Sequence, residues 1–193
     1  LGEGLPLVKT MVGRIKNKVL DVLYYAKERE LETSPCKIVD FVEETLAIIR
    51  PRIENPPIEL HCDISSDLAN VTFAIDPDQL RSALVNVLEN AVDACRDNPQ
   101  ASEPRILFRA HLEDDDVVFD IQDNGIGMSE ETQAKIFTLF FSSKSTQGTG
   151  IGLFITRKII HQHGGEITVT SQPGQGAHFQ IRIPLRQPLP ADS

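Results

Sequence analysis

The residues that most constrain the fold lie between 106 and 127. Ile106, Phe108 and Ala110 recur at every second position. Val117, Phe119 and Ile121 answer them across the acidic tip Glu113-Asp114-Asp115-Asp116. A period of two predicts two strands joined as a hairpin, with the four acids as a solvated loop rather than a metal site, since no other ligand is near in sequence. The second strand delivers Asp123 into Asp123-Asn124-Gly125-Ile126-Gly127. Asp-Asn-Gly is ordinary turn chemistry. The paired glycines also let the backbone turn sharply or approach a ligand, and Asp123 could then accept a hydrogen bond from an exocyclic amine.

The other elements are arranged around this pair. Leu7, Met11, Ile15, Val19, Val22 and Ala26 recur at helical spacing on an otherwise charged segment, and such a stripe must be covered, by a partner helix or by its own domain. Thr33-Ser34-Pro35 reads as a break. A second helix carries Ile38, Val42, Leu46 and Ile49 and stops at Pro51. Residues 58–62 and 71–75 alternate as two short strands around a polar connection. Asp76-Pro77 starts a helix running through Leu80, Leu84, Val87, Leu88 and Ala91 and closing at Asp97-Asn98-Pro99. After the central hairpin, a short helix from Ser129 ends near Phe137, a longer one runs from about Ile151 to His161, and two strands carry Ile167–Val169 and Phe179–Ile183. Hairpins with intervening helices predict a mixed, mainly antiparallel sheet with helices on one face, a two-layer α/β sandwich preceded by a helix.

Composition removes several classes. A net charge of -9 argues against a general nucleic-acid surface. No apolar run is long enough to span a bilayer, so no membrane contact is expected from this segment. Cys36, Cys62 and Cys95 form no CxxC and are odd in number, which fits reduced thiols better than disulfides. The chain begins at Leu1 and reads as a fragment of a longer protein.

Two further groups can carry chemistry. Asn86 and Asn90 stand one turn apart on one side of the helix that starts at Pro77, and a carboxamide oxygen can ligate a hard cation. Glu89 and Asp93 are read as facing solvent. Gly148-Thr149-Gly150-Ile151-Gly152-Leu153 leads into a helix and can offer backbone N–H groups to phosphate, with Lys144 as a mobile counter-charge. Gly174-Gln175-Gly176 reads as a turn. There is no GxxxxGK[ST].

Taken together, residues 35–184 resemble the ATP-binding catalytic domain of sensor histidine kinases, within the GHKL superfamily. Asn86-Val87-Leu88-Glu89-Asn90-Ala91 resembles the N box, and Asp123-Asn124-Gly125-Ile126-Gly127 the first glycine box. Phe137-Thr138-Leu139-Phe140-Phe141-Ser142-Ser143-Lys144 resembles the F box, and Gly148-Thr149-Gly150-Ile151-Gly152-Leu153 the second glycine box. His163-Gly164-Gly165 and Gly174-Gln175-Gly176 add the closing pattern.

The resemblance implies the Bergerat fold, with ATP and Mg²⁺ as cofactors. It implies that Asn90 holds Mg²⁺, that Asn86 lines the metal and phosphate site, and that Asp123 accepts from the adenine amino group. Gly125 and Gly127 would let the backbone pass under the nucleotide. Lys144 would reach phosphate, and Gly148, Thr149, Gly150, Gly152 and Leu153 would form the phosphate side. Phe137 and Phe140 would anchor this segment to the core. Asn86 stands where some relatives that hydrolyse ATP carry Glu, which favours kinase over ATPase chemistry. Asp93 stands where many histidine kinases carry a positively charged residue that contacts phosphate.

The expected organisation is an incomplete dimerisation and phosphotransfer helix at 1–34, a catalytic domain at 35–187 and a flexible tail at 188–193. His61, His111, His161, His163 and His178 do not match the H box, so the phosphoacceptor is expected outside this chain. The implied partners are the phosphotransfer helix of the same protein, a response regulator and a second copy of the parent, in the cytoplasm, with membrane anchoring of the parent left open. The alternatives are a GHKL serine kinase or ATPase, and a degenerate ATP-binding interaction module.

Overall fold

The computed structural model describes residues 30–98, 103–142 and 150–185. The stripe at Leu7–Ala26, the tail after 187, Lys144, Gly148 and Thr149 lie outside them.

Strand β1 (Ser34–Lys37) leads into helix α1 (Ile38–Ile49), which ends in a 3₁₀ turn at Arg50–Arg52 that contains Pro51. Strands β2 (Glu59–Ile64) and β3 (Thr72–Ile75) precede helix α2 (Pro77–Arg96). Strands β4 (Arg105–Glu113) and β5 (Asp116–Asp123) form the hairpin the alternation predicts. Helix α3 (Glu130–Gln133) and helix α4 (Gly152–Gln162) follow, then β6 (Glu166–Ser171) and β7 (Ala177–Pro184).

The main sheet has the order β2-β4-β5-β7-β6; β2 pairs parallel with β4, and the other neighbours are antiparallel. This is the mixed, mainly antiparallel sandwich expected from the sequence. One expectation changes: Thr33-Ser34-Pro35 reads as a break, yet β1 forms there and pairs antiparallel with β3, while β2 pairs with β4. Each short segment finds its partner far along the chain, which local alternation does not record. At the hairpin tip, Glu113 and Asp116 are ion-paired to Arg182 at 2.9 and 3.2 Å.

The core lies between one sheet face and the helices. Phe108, Phe119, Ile121, Ile181 and Ile183 project from the sheet and are buried, and Leu80, Leu84, Val87, Leu88 and Ala91 supply the facing stripe of α2. Burying such side chains stabilises by about 1.5–3 kcal/mol each, enough to fix which side of α2 remains for the site. The opposite sheet face is polar, with Asp120 between His178 at 2.7 Å and His111 at 3.5 Å.

Asp76 caps α2 by accepting from the Gln79 backbone N–H at 3.0 Å. Its own N–H donates to Nε2 of the fully buried His163, whose Nδ1 lies 2.8 Å from the Ile159 carbonyl. Nδ1 therefore carries the proton, and neutral His163 ties the start of α2 to the end of α4. Burial would raise the Asp76 pKa, but the hydrogen bonds from Gln79 and Glu32 hold it below its ordinary value. Burial lowers the His163 pKa, against the Ile159 hydrogen bond and the Asp76 charge.

The folded state thus binds the His163 proton less readily than the unfolded chain, so stability is lost as pH falls below the unfolded value of about 6.5. Chemical denaturation of wild type and His163→Gln between pH 5 and 8 checks this. The variant should be less stable at pH 8 by about 1–3 kcal/mol, since a buried donor and acceptor lose their geometry. It should also lose less stability on acidification. Parallel pH profiles for the two proteins would exclude His163 as the titrating group.

Candidate functional site

One side of α2, the β5–α3 loop and the start of α4 enclose a cleft of about 340 Å³. Asn86, Asn90, Asp123, Gly127, Gly150, Gly152 and Leu153 all line it, so three separated sequence groups converge on one place. Gly125, Lys144, Gly148 and Thr149 are not among its described lining residues.

Asp123 ends β5 and is only 4% exposed. Its Oδ1 accepts from the Gly125 N–H at 2.8 Å, so the local turn and the site are the same object. Burial pushes its pKa up to about 6, while hydrogen bonds from the Gly125 and Ala177 backbones oppose the rise. A carboxylate has about four acceptor positions, so two such bonds leave capacity for a ligand amine. Asn124 of the same segment serves the scaffold. Its Oδ1 accepts from the Arg105 N–H at 2.8 Å, its Nδ2 donates to the Glu103 carbonyl at 2.8 Å, and its carbonyl accepts from Asn98 Nδ2 at 3.1 Å.

The glycines are required by close backbone approach. A Cβ on Gly125 would lie 2.4 Å from the Ala94 backbone in α2, and the next residue, Ile126, donates its N–H to the Ala94 carbonyl at 3.1 Å. A Cβ on Gly127 would lie 1.9 Å from the Gln172 carbonyl oxygen in the β6–β7 turn. In return, a Cβ on Gly176 of that turn would lie 1.9 Å from the Asp123 carbonyl oxygen. Gly174-Gln175-Gly176 is therefore more than a turn signal: it is the second wall behind Asp123. Only its spacing of two glycines hints at this in the sequence.

Asn86 donates through Nδ2 to Oγ1 of buried Thr156 at 2.9 Å, joining α2 to α4. Its Oδ1 fills the place a Cβ on Gly152 would take, at 2.5 Å. Asn90 donates through Nδ2 to the Asn86 carbonyl at 2.9 Å, which leaves Oδ1 as the atom it can offer a cation. Glu89 points elsewhere and pairs with Arg52 at 2.9 Å. Asp93 is exposed, as expected, yet it also lines the cleft.

The aromatic anchors are corrected. Phe137 does pack on the core, with the Arg157 guanidinium 5.6 Å from its ring centre. Phe140 does not: it is 67% exposed, and a φ of 65° turns it away from the core. Phe141 packs on the core and lines the cleft in its place. A Cβ on Gly150 would lie 2.5 Å from the Phe140 carbonyl carbon, so Gly150 and Phe140 meet through their backbones.

The family described as histidine kinase-, DNA gyrase B- and HSP90-like ATPase matches residues 75–187. The chain belongs to this family. It strongly matches the histidine-kinase members. The signal transduction histidine-protein kinase AtoS of Escherichia coli (strain K12) is 31% identical over 186 residues, which cover 95% of this chain and 29% of AtoS. Sporulation kinase E of Bacillus subtilis (strain 168) is 27% identical over 181 residues, 94% of this chain and 24% of that kinase. The chain thus spans about a quarter of the length of these curated relatives. A crystal structure of full-length ShkA in complex with AMPPNP superimposes with a TM-score of 0.77 at 28% identity, covering 91% of this chain and 36% of ShkA.

The fold is accordingly the Bergerat sandwich of this family, and membership implies ATP and Mg²⁺ binding in general. The cleft fits such a ligand. It offers a buried acceptor at Asp123, apolar walls from Met128, Ile136 and Phe179, and amide oxygens on α2.

Proposed function

We propose that this chain is the ATP-binding, phosphoryl-donor module of a sensor histidine kinase. The observation that carries the reading is the convergence of Asp123, Asn86 and Asn90 on one cleft whose described lining contains no histidine. In this reading the phosphoacceptor is a histidine delivered by another element, a phosphotransfer helical hairpin. His163 in particular is buried with both ring nitrogens engaged.

In this reading Asp123 accepts from the adenine amine, and Met128, Ile136 and Phe179 enclose the ring. Asn90 holds Mg²⁺ through Oδ1, Asn86 fixes the neighbouring phosphate end, and Lys144 with the 148–153 segment meets the phosphates. Mg²⁺ held there would offset the charge of the ATP phosphates. The acceptor imidazole nitrogen forms a bond to the γ-phosphorus as the bond to the bridging oxygen breaks, ADP leaves, and the imidazole proton passes to the acid beside that histidine. The phosphoryl group then moves to an aspartate of a response regulator. The amide at Asn86, already donating to Thr156, offers no base to activate water, which supports transfer over hydrolysis. We place the module in the cytoplasm, where ATP is available and Cys36, Cys62 and Cys95 stay reduced.

Titration and labelling test the reading together. The isolated chain should bind Mg-ATP without phosphorylating any of its five histidines. Adding the parental phosphotransfer hairpin should yield acid-labile phosphohistidine on the hairpin. Asn90→Ala should reduce that yield more than Lys144→Ala, about 100-fold against about tenfold, because it removes a metal ligand. Phosphate on His161 regardless of the hairpin, or steady ATP turnover by the chain alone, would rule the donor role out.

A further inference from the structure

The carboxylate of Asp123 is held from two sides, and the second side belongs to the β6–β7 hairpin. The Ala177 N–H reaches the carboxylate from the start of β7, and Gly176 stacks its backbone on the Asp123 carbonyl. What fixes this hairpin is a set of side-chain bonds outside the cleft. The Gln133 carboxamide pairs with both backbone groups of Ser171, the last residue of β6. Its Nε2 donates to the Ser171 carbonyl at 2.9 Å, and its Oε1 accepts from the Ser171 N–H at 3.1 Å. The amide thereby imitates a neighbouring strand at the open edge of the sheet. Nε2 also reaches the Met128 carbonyl at 3.3 Å.

Ser171 passes the restraint inward. Its Oγ accepts from the Met128 N–H at 2.8 Å and donates to the Gly176 carbonyl at 2.6 Å. Gly174 completes the contact by donating to the Ile126 carbonyl at 2.7 Å. The loop that follows Asp123, the helix that follows the loop and the β6–β7 turn are thus bonded to one another through two side chains.

We propose that Gln133 and Ser171 are positioning residues for adenine recognition, clamping the β6–β7 turn against the 123–128 loop so that Asp123 keeps its acceptor geometry. The inference rests on the reading of the cleft as an adenine-nucleotide site. Neither residue lines the cleft, so each acts through the groups it holds, the Met128 backbone and the Gly176 carbonyl beside Asp123. A clamp of this kind acts on selectivity. An acceptor-only carboxylate discriminates an exocyclic amine from an oxo group only while it is held in place; a loosened one can turn away from the oxo group.

The test compares wild type, Gln133→Leu, Ser171→Ala and Ser171→Thr. Calorimetric titration with Mg-ADP and Mg-GDP gives the preference of each protein, and amide hydrogen exchange is followed at Met128 and Ala177 without ligand. Gln133→Leu keeps the volume and loses the bonds. It should bind ADP about five- to tenfold more weakly, with the ADP-over-GDP ratio reduced by a similar factor and exchange at both amides accelerated. Ser171→Ala should behave alike, and Ser171→Thr, which keeps the hydroxyl, should stay near wild type. Equal proportional losses for ADP and GDP, or unchanged exchange at Met128 and Ala177, would overturn the clamp. A wild type that binds no ADP would overturn the nucleotide reading itself, whereas a wild type that binds ADP beside variants of unchanged preference removes only the clamp. Should Gln133→Leu fail to fold, Ser171→Ala against Ser171→Thr decides the question alone.

Discussion

Asp123→Asn should bind Mg-ATP about 30-fold more weakly than wild type, a loss of about 2 kcal/mol. The replacement is isosteric, but it turns an acceptor-only group into one that also donates. Its nitrogen must then face either the Ala177 N–H or the ligand amine, and both are donors. Two accompanying signs separate this from unfolding. The buried carboxylate titrates near pH 6, well above its unfolded value, so the folded state binds that proton more readily and stability falls as pH rises through about 4 to 6. The Asn variant lacks this penalty and should be more stable than wild type above pH 6. Because an amine donor favours the ionised form, wild-type affinity should fall on acidification below about pH 6, beyond the share due to the phosphates, and the Asn variant should lose that extra dependence. Titrations at several pH values with parallel denaturation curves check all three. Equal affinity in the two proteins would remove Asp123 from adenine recognition.

The largest stability loss should come from Gly176→Ala. Its φ of +80° is costly for any residue with a side chain, and the added methyl would lie 1.9 Å from the Asp123 carbonyl oxygen. Neither partner can yield by a rotamer change, since both are backbone. Strain and overpacking together should cost about 3–5 kcal/mol, lowering the thermal midpoint by roughly 8–15 °C. Gly174 separates the two causes. Its φ is +77°, but nothing lies within 4 Å of its notional Cβ. Gly174→Ala should therefore cost only the conformational share, about 1–2 kcal/mol. Calorimetric melting of the two variants measures the difference, and equal shifts would show that the contact between the two loops contributes nothing.

Phe140 and Gly176 show where local sequence reasoning stops. Apolar character alone places Phe140 in the core, yet Phe141 takes that position because the backbone turns to positive φ between them. Nothing within the Phe-Phe pair records which ring faces inward, nor that Gly150 meets the Phe140 backbone. Gly176 reads as a turn residue because its neighbours are Pro173, Gly174 and Gln175, while the group that forbids a side chain there lies on Asp123, 53 residues earlier.

By itself, the sequence determined the periods and the punctuation: alternation in β4, β5 and β7, the helical stripe of α2 behind Asp76-Pro77, a carboxylate at the end of a strand, and amides one turn apart. These are short-range properties, set by which face a residue occupies and by which φ a turn requires. The tertiary structure alone decided the pairing of β1 with β3, the parallel alignment of β2 on β4, the role of His163 between two helix ends, and the Gln133–Ser171 bonds behind Asp123. Each joins groups far apart in the chain through one or two directional contacts. Such contacts leave no period in the sequence, because they depend on how elements meet after the apolar faces have been buried.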